Sequence, residues 1–549
     1  MSRLKQPSPL PKATIAPPPP NTAGTSRSPT LSWPGIAFVA IAFAIGFAIW
    51  PIRHAWFSAD DFTLLVFAKH AGNPLWYFVG DPFSNYGYRP LGMVYWWFSV
   101  AAFDTHAEWH FALNAALHLL VAACLGRLVF KLSGNVLISG FAATAFALHP
   151  GMLIVGLWSS MRFDVLATLF SVLALGSLAQ QPETRSNWLG VVVFASLAAF
   201  SKEISFVLLP AIAAHVLLTD SLTWKARIGR LATLALPFGM AVAARIWFLS
   251  SVDTQLNLAN PFSGILRGAL GWLENLPDAL LGQPSTGWIS SLAAAVLLGA
   301  LVALFAFARI RIVDRRWAVT ALLVFVSPMV LQAPVFQLVL VLDEPLSTPS
   351  NFRFYYLAGI GVVLILSLLF SAINLSTALR RAAKAATLVV LGLLTVRAHS
   401  ATNAWTTGTL GEAQRVVEAA SSIALTTKLE APCTVFMLDV PEYVLEFPHY
   451  SDAAIKSQLP TTHPALGCIF VSERSPSRNF TMGATCDDSA WKPFATRTKG
   501  LSPVPAKRFG KLCIHHFADL PAEKQIETPR PYVFHWQQGK FIRTANAPE

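Results

Sequence analysis

Residues 91–103 read LGMVYWWFSVAAF, an uncharged run that carries Trp96, Trp97 and Phe98. A bilayer-spanning helix needs about 20 residues, so this stretch is too short to cross comfortably. Charged positions flank it, Arg89 on one side and Asp104 on the other. We read it as an interfacial helix lying on the membrane, its aromatics at headgroup depth. That reading sets the orientation of the fold, because every later segment changes side if this one crosses.

The surrounding composition requires a membrane. Of 549 residues, 54% are hydrophobic and 13% charged, and mean hydropathy is +0.51. A soluble domain is about 25% charged. So few polar residues cannot cover the surface of several soluble cores, which excludes a cytosolic enzyme, a disordered protein and a small secreted disulfide domain. The net charge of +12 is a topology signal held in loops, and no nucleic-acid motif accompanies it. Residues 1–32 are rich in proline and carry basic but no acidic side chains, the composition of a disordered cytoplasmic tail.

Hydrophobic segments at 33–50, 109–130, 135–150, 164–180, 187–201, 204–219, 231–249, 288–308, 317–340, 353–374 and 385–397 predict about eleven transmembrane helices. With the tail inside, the clusters Arg127/Lys131, Lys225/Arg227/Arg230, Arg309/Arg311/Arg315/Arg316 and Arg380/Arg381/Lys384 all fall in the cytoplasm. Counting 91–103 as a twelfth span would place them outside. The fold class is therefore an all-α polytopic membrane protein with interfacial helices, its membrane part at 33–397. Residues 398–549 form a small extracytoplasmic α/β domain: Leu410–Leu429 has helical spacing, Thr434–Val440 and Cys468–Val471 read as strands, and Tyr532–Trp536 and Lys540–Arg543 flank a hairpin turn. Cys433, Cys468, Cys486 and Cys513 lie there, an even number that suits disulfides in an oxidising compartment and allows three pairings.

Once the inside clusters are assigned to topology, the informative charges are those left outside: Asp60, Asp61, Asp81, Arg89, Arg162, Asp164, Lys202, Glu203, Arg245, Asp343, Glu344 and Arg353. Each has an ordinary explanation, such as a solvated pair, a local ion pair or a snorkelling side chain. Their gathering at one membrane surface points further, because ionisable groups at the end of an apolar helix are costly unless paired or functional. Adjacent carboxylates such as Asp60-Asp61 suit general-base chemistry, and nearby cations suit a phosphate leaving group.

The order Ala-Asp60-Asp61-Phe, Tyr88-Arg89-Pro90, Trp109-His110 with Asn114 and His118, Leu148-His149-Pro150, Trp158, Arg162-Phe-Asp164, Ser201-Lys202-Glu203 and Arg353-Phe-Tyr-Tyr356 resembles the GT-C glycosyltransferases. It is most similar to the bacterial relatives of protein O-mannosyltransferases and of transmembrane tetratricopeptide-repeat O-mannosyltransferases. The resemblance implies an inverting enzyme of the bacterial inner membrane. Such an enzyme transfers a sugar from a polyprenyl-phosphate donor to a glycan, lipid or protein acceptor on the periplasmic side. It implies Asp60, then Asp61, as catalytic base, with Asp164 building the same cavity. It places Arg89, Arg162, Lys202, Glu203, Arg353, Tyr356, His149 and Trp158 around the substrate. For some members it implies a divalent cation (Mg, Mn or Zn), which here would fall to Asp61 and Asp164. No tetratricopeptide repeats follow. The competing readings are a flippase for an anionic polyprenyl-linked lipid and an O-antigen ligase or polymerase.

Overall fold

The computed structural model describes residues 33–58, 60–70, 72–79, 88–180, 184–249, 261–282, 287–309, 313–341, 349–373, 377–430, 433–438, 447–472, 479–483, 504–509, 512–517 and 531–543. The chain forms two compact units, Met1–Phe43 and Ala44–Glu549. The described part of the first is the opening of helix α1 (Trp33–Ile49).

The second unit continues with α2 (Asp60–His70), α3 (Trp76–Val79), α4 (Pro90–Phe103), α5 (Ala107–Ser133), α6 (Val136–Leu148), α7 (Pro150–Leu157), α8 (Arg162–Leu178), α9 (Arg185–Ser201) and α10 (Leu208–Leu217). Then come α11 (Trp224–Leu249), α12 (Pro261–Leu281), α13 (Gly287–Arg309), α14 (Arg315–Val341), α15 (Tyr356–Ala372), α16 (Thr377–Asn403) and α17 (Gly411–Thr426). Boundaries follow local chemistry. Gly134, at φ 63°, closes α5 in the left-handed conformation that glycine adopts without cost. Asn135 then caps α6 through bonds from the Leu137 and Ile138 N–H groups at 2.9 and 3.3 Å. Pro150 starts α7 and cannot extend α6, so the two meet at 63°.

The predicted apolar segments all contain helix, but their lengths differ from expectation. Among the described residues, six helices are long and apolar enough to cross a membrane, or seven if the bent α6–α7 pair is one span, against about eleven expected. Part of the shortfall comes from short helices such as α9, of 17 residues, and α10, of 10. Outward positions such as Val302, Phe305, Leu388 and Leu393 are 60–72% exposed, an apolar surface that suits lipid and marks a multi-pass membrane protein. Among the helices that the sequence reading does not anticipate are α2 and α12. In α2 the leading carboxylates masked the pattern, and in α12 Glu274, Pro277 and Asp278 interrupt it.

The segment at 91–103 is helical, as expected, but its aromatics are not uniformly at the surface. Trp96 is fully buried against Arg162 and His110, whereas Phe98 is exposed. Together with α2, α4 joins a second hydrophobic core shared with the C-terminal residues.

That C-terminal part holds α18 (Phe447–Gln458) and strands β1 (Cys433–Leu438), β2 (Cys468–Ser472), β3 (Asn479–Gly483), β4 (Val504–Phe509), β5 (Leu512–Phe517), β6 (Pro531–Gln537) and β7 (Lys540–Arg543). One sheet runs β2-β1-β6-β7, parallel across its first three strands, and a second runs β3-β5-β4. The expected hairpin is β6–β7, antiparallel, turning through Gln538 (φ 49°) and Gly539 (φ 81°). Cys433 and Cys468 face one another across the β1–β2 pair and form a disulfide. Cys486 lies outside the described residues.

Candidate active site

Asp60 and Asp61 open α2, where the positive helix end favours negative charge. The Asp61 carboxylate turns back to accept the Ser58 N–H at 3.1 Å, as in a capping box, and accepts the Trp158 indole N–H at 3.2 Å. Asp61 is fully buried, and its second oxygen has no hydrogen-bond partner among the described residues. Burial pushes its carboxyl up to about 8; the Ser58 N–H and Arg162 oppose the rise and Asp60 adds to it. Asp60 is half-buried, and its charge reaches Arg89.

Pro90 fixes the first turn of α4 and keeps Arg89 out of the helix. From there Arg89 grips Glu203 with two prongs, Nη2 to Oε1 at 2.5 Å and Nε to Oε2 at 3.0 Å. The chain breaks between α9 and the short 3-10 helix Glu203–Val207, with Lys202 extended at φ −161°. This break places Lys202 against Asp164, Nζ to Oδ2 at 2.6 Å, while Glu203 meets Arg89. Lys202 also feels Arg353, a half-buried residue of the 3-10 helix Pro349–Tyr355 whose guanidinium stands 5.0 Å from the Phe354 ring.

Two of the expected substrate contacts sit deeper. Arg162 is fully buried, with its guanidinium 3.9 Å from the Trp96 ring centre, its Nη1 donating to Ser99 and its Nη2 3.4 Å from His110 Nδ1. Tyr356 is also fully buried and pairs its hydroxyl with His118 Nδ1 at 2.7 Å. His149 accepts the Met152 N–H at Nδ1, so its Nε2–H donates to the Leu280 carbonyl at 2.8 Å. Trp158 is buried, and its carbonyl accepts the Asn114 amide at 2.7 Å. These four residues are engaged in hydrogen bonds of their own, whereas Asp60, Arg89, Asp164, Lys202, Glu203 and Arg353 form the polar group.

Arg245 belongs to that group, although the sequence motifs did not select it. It projects from α11 with Nη2 3.7 Å from Glu203 Oε2 and 3.1 Å from the Ala199 carbonyl. Its only signal in sequence is a lone arginine near the end of an apolar helix. Asp81, Asp343 and Glu344 lie outside the described residues.

The donor set does not fit a dedicated metal centre. Among the described residues no three His, Cys, Asp or Glu side chains gather, and Asp164 already shares its carboxylate with Lys202.

No protein-family model matches the chain, and no curated protein matches it. Among solved structures it is similar to the archaeal oligosaccharyltransferase AglB from Archaeoglobus fulgidus in complex with an inhibitory peptide and a dolichol-phosphate, at 14% identity and TM-score 0.44 over 77% of this chain. This chain spans 64% of that protein's length. It is also similar to ArnT from Cupriavidus metallidurans bound to undecaprenyl phosphate, at 12% identity and TM-score 0.35, covering 88% of this chain and 98% of that one. An Archaeoglobus fulgidus oligosaccharyltransferase in complex with Zn and sulfate matches at 13% identity and TM-score 0.43, covering 76% of this chain and 61% of that one. Likeness this remote assigns neither a family nor a residue role.

Proposed function

We propose that the chain is an inverting membrane glycosyltransferase of the GT-C type. It moves a sugar from a polyprenyl-phosphate donor to an acceptor hydroxyl on a glycan, lipid or protein at the periplasmic face of the bacterial inner membrane. The observation that carries this reading is the half-buried Asp60 carboxylate within electrostatic reach of Arg89, in a cluster that also holds Lys202, Arg245 and Arg353.

Asp60 takes the acceptor O–H proton as that oxygen attacks the anomeric carbon. The bond between the anomeric carbon and the phosphate oxygen breaks on the opposite face, which inverts the configuration. The donor is a phosphodiester with one negative charge, and the departing lipid phosphate carries more. Four cations, Arg89, Lys202, Arg245 and Arg353, stand against three carboxylates, Asp60, Asp164 and Glu203. That excess balances the donor and favours the more anionic product, so stabilisation grows as the bond breaks. Buried Asp61 anchors the start of α2 to Trp158 while Asp60 does the proton transfer.

A flippase would use the same cations and have no need of Asp60. Mass spectrometry of envelope glycans and glycoproteins separates the readings. A deletion strain should lack one sugar, restored by the wild-type gene and not by Asp60→Asn at equal expression. Restoration by Asp60→Asn would sink the enzymatic reading.

A further inference from the structure

We infer that the Glu203 carboxylate is an internal stand-in for the donor's phosphate, holding the site's cations in the substrate-free protein and giving way when a lipid phosphate arrives. This rests on the proposed glycosyl-transfer reading and deepens it, because it states what controls donor binding at that site.

Glu203 presents both oxygens to the Arg89 fork, at 2.5 and 3.0 Å, and one of them lies 3.7 Å from Arg245. Two acceptor oxygens facing a guanidinium fork are what a phosphate also offers. The burial of the partners is unequal. The Arg89 and Arg245 side chains are 20% and 10% exposed, whereas that of Glu203 is 43% exposed, so the carboxylate covers a cationic floor from its open side. A purely structural pair in the same chain is built otherwise: Lys456 and Asp452, 2.8 Å apart, are 0% and 2% exposed.

Glu203 also leaves donors unused. Arg245 Nε and Nη1 are buried with no hydrogen-bond partner among the described residues. Buried N–H groups of a charged side chain are costly to leave unpaired, and a phosphate has more acceptor oxygens than a carboxylate with which to meet them. When displaced, Glu203 can turn toward water, since its side chain is already 43% exposed.

The test measures binding of undecaprenyl phosphate in detergent micelles to the full chain and to Glu203→Gln, with inorganic phosphate as competitor. Removing one opposing charge from a partly desolvated site should tighten lipid-phosphate binding by about tenfold. Inorganic phosphate should compete at lower concentration in Glu203→Gln than in the wild type, which identifies the phosphate group as the recognised part. Lipid binding that tightens without such competition overturns the phosphate stand-in and assigns the effect to the polyprenyl chain. Equal or weaker lipid binding at unchanged thermal stability overturns the inference. If Glu203→Gln unfolds, Glu203→Asp, one methylene shorter with its charge kept, should still tighten binding, and failure to do so overturns it equally. Arg89→Ala separates the two levels. Weakened binding in Arg89→Ala with unchanged binding in the Glu203 variants sinks only the stand-in. Identical binding by all of them sinks the phosphate site and the inference together.

Discussion

Asp60 and Asp61 are adjacent in sequence, yet one is half-open beside Arg89 and the other is sealed beneath Trp158. With its carboxyl pushed up to about 8, Asp61 is neutral at pH 7 in the fold, whereas in the unfolded chain it ionises near 3.8. Between those values the unfolded state has lost a proton that the folded state keeps, so the wild type loses stability as pH rises from about 4 to about 8. Asp61→Asn copies the neutral shape and should lose none of this stability across the same window, which thermal unfolding at a series of pH values would check. The same variant should keep most turnover at pH 7. Arg89→Lys should weaken donor use almost as much as Arg89→Ala, because lysine cannot offer the donor phosphate the two-pronged fork that Arg89 offers Glu203 in the substrate-free protein; donor KM measures this. Sequence made the polar group legible as charges with no role in topology. It did not separate Arg162 and Tyr356, both fully buried, from Arg89 and Lys202 at the group itself, because burial depends on neighbours far along the chain. For the same reason Arg245 joins the group only through the packing of α11 against α9.

At the scale of elements, the C-terminal part bears on the site through contact: α18 packs on α2, the helix that begins with Asp60 and Asp61. The Cys433–Cys468 bond ties the two strands of the adjoining sheet across 35 residues of chain. Losing such a crosslink typically costs about 2–4 kcal/mol. A Cys433→Ala/Cys468→Ala variant should therefore unfold at lower temperature, with turnover falling in parallel because α2 loses its support. Lys456→Met should be worse for stability, by about 3–5 kcal/mol, because the buried Asp452 carboxylate keeps the Phe470 N–H but loses the ammonium that balances its charge. The β6–β7 hairpin could be read from its turn residues, and β1 and β2 from their apolar runs. Helix α18 could not, since its sequence FPHYSDAAIKSQ is nearly neutral in polarity and its burial against α2 is a long-range event.

For the whole molecule, composition alone established a membrane protein, and the apolar segments located its helices. The number of crossings was less legible, since short helices such as α9 and α10 gain their burial from neighbours rather than from length. The basic loops predict that Ser221 is cytoplasmic and Lys540 periplasmic. Single cysteines placed there, in a background lacking the native thiols, should react oppositely with an impermeant maleimide in intact cells. Labelling of both from outside would contradict the orientation. The central claim is that the carboxylate cluster at the start of α2 performs sugar transfer. It is tested most directly by turnover of the purified full chain with polyprenyl-phosphate-sugar donors, reading sugar transferred and lipid phosphate released. Asp60→Asn should lower turnover by about 10²–10⁴-fold. With expression and thermal stability unchanged, the Asp60→Asn/Asp61→Asn double variant should fall at least as far. Near-normal turnover in the double variant would contradict the mechanism.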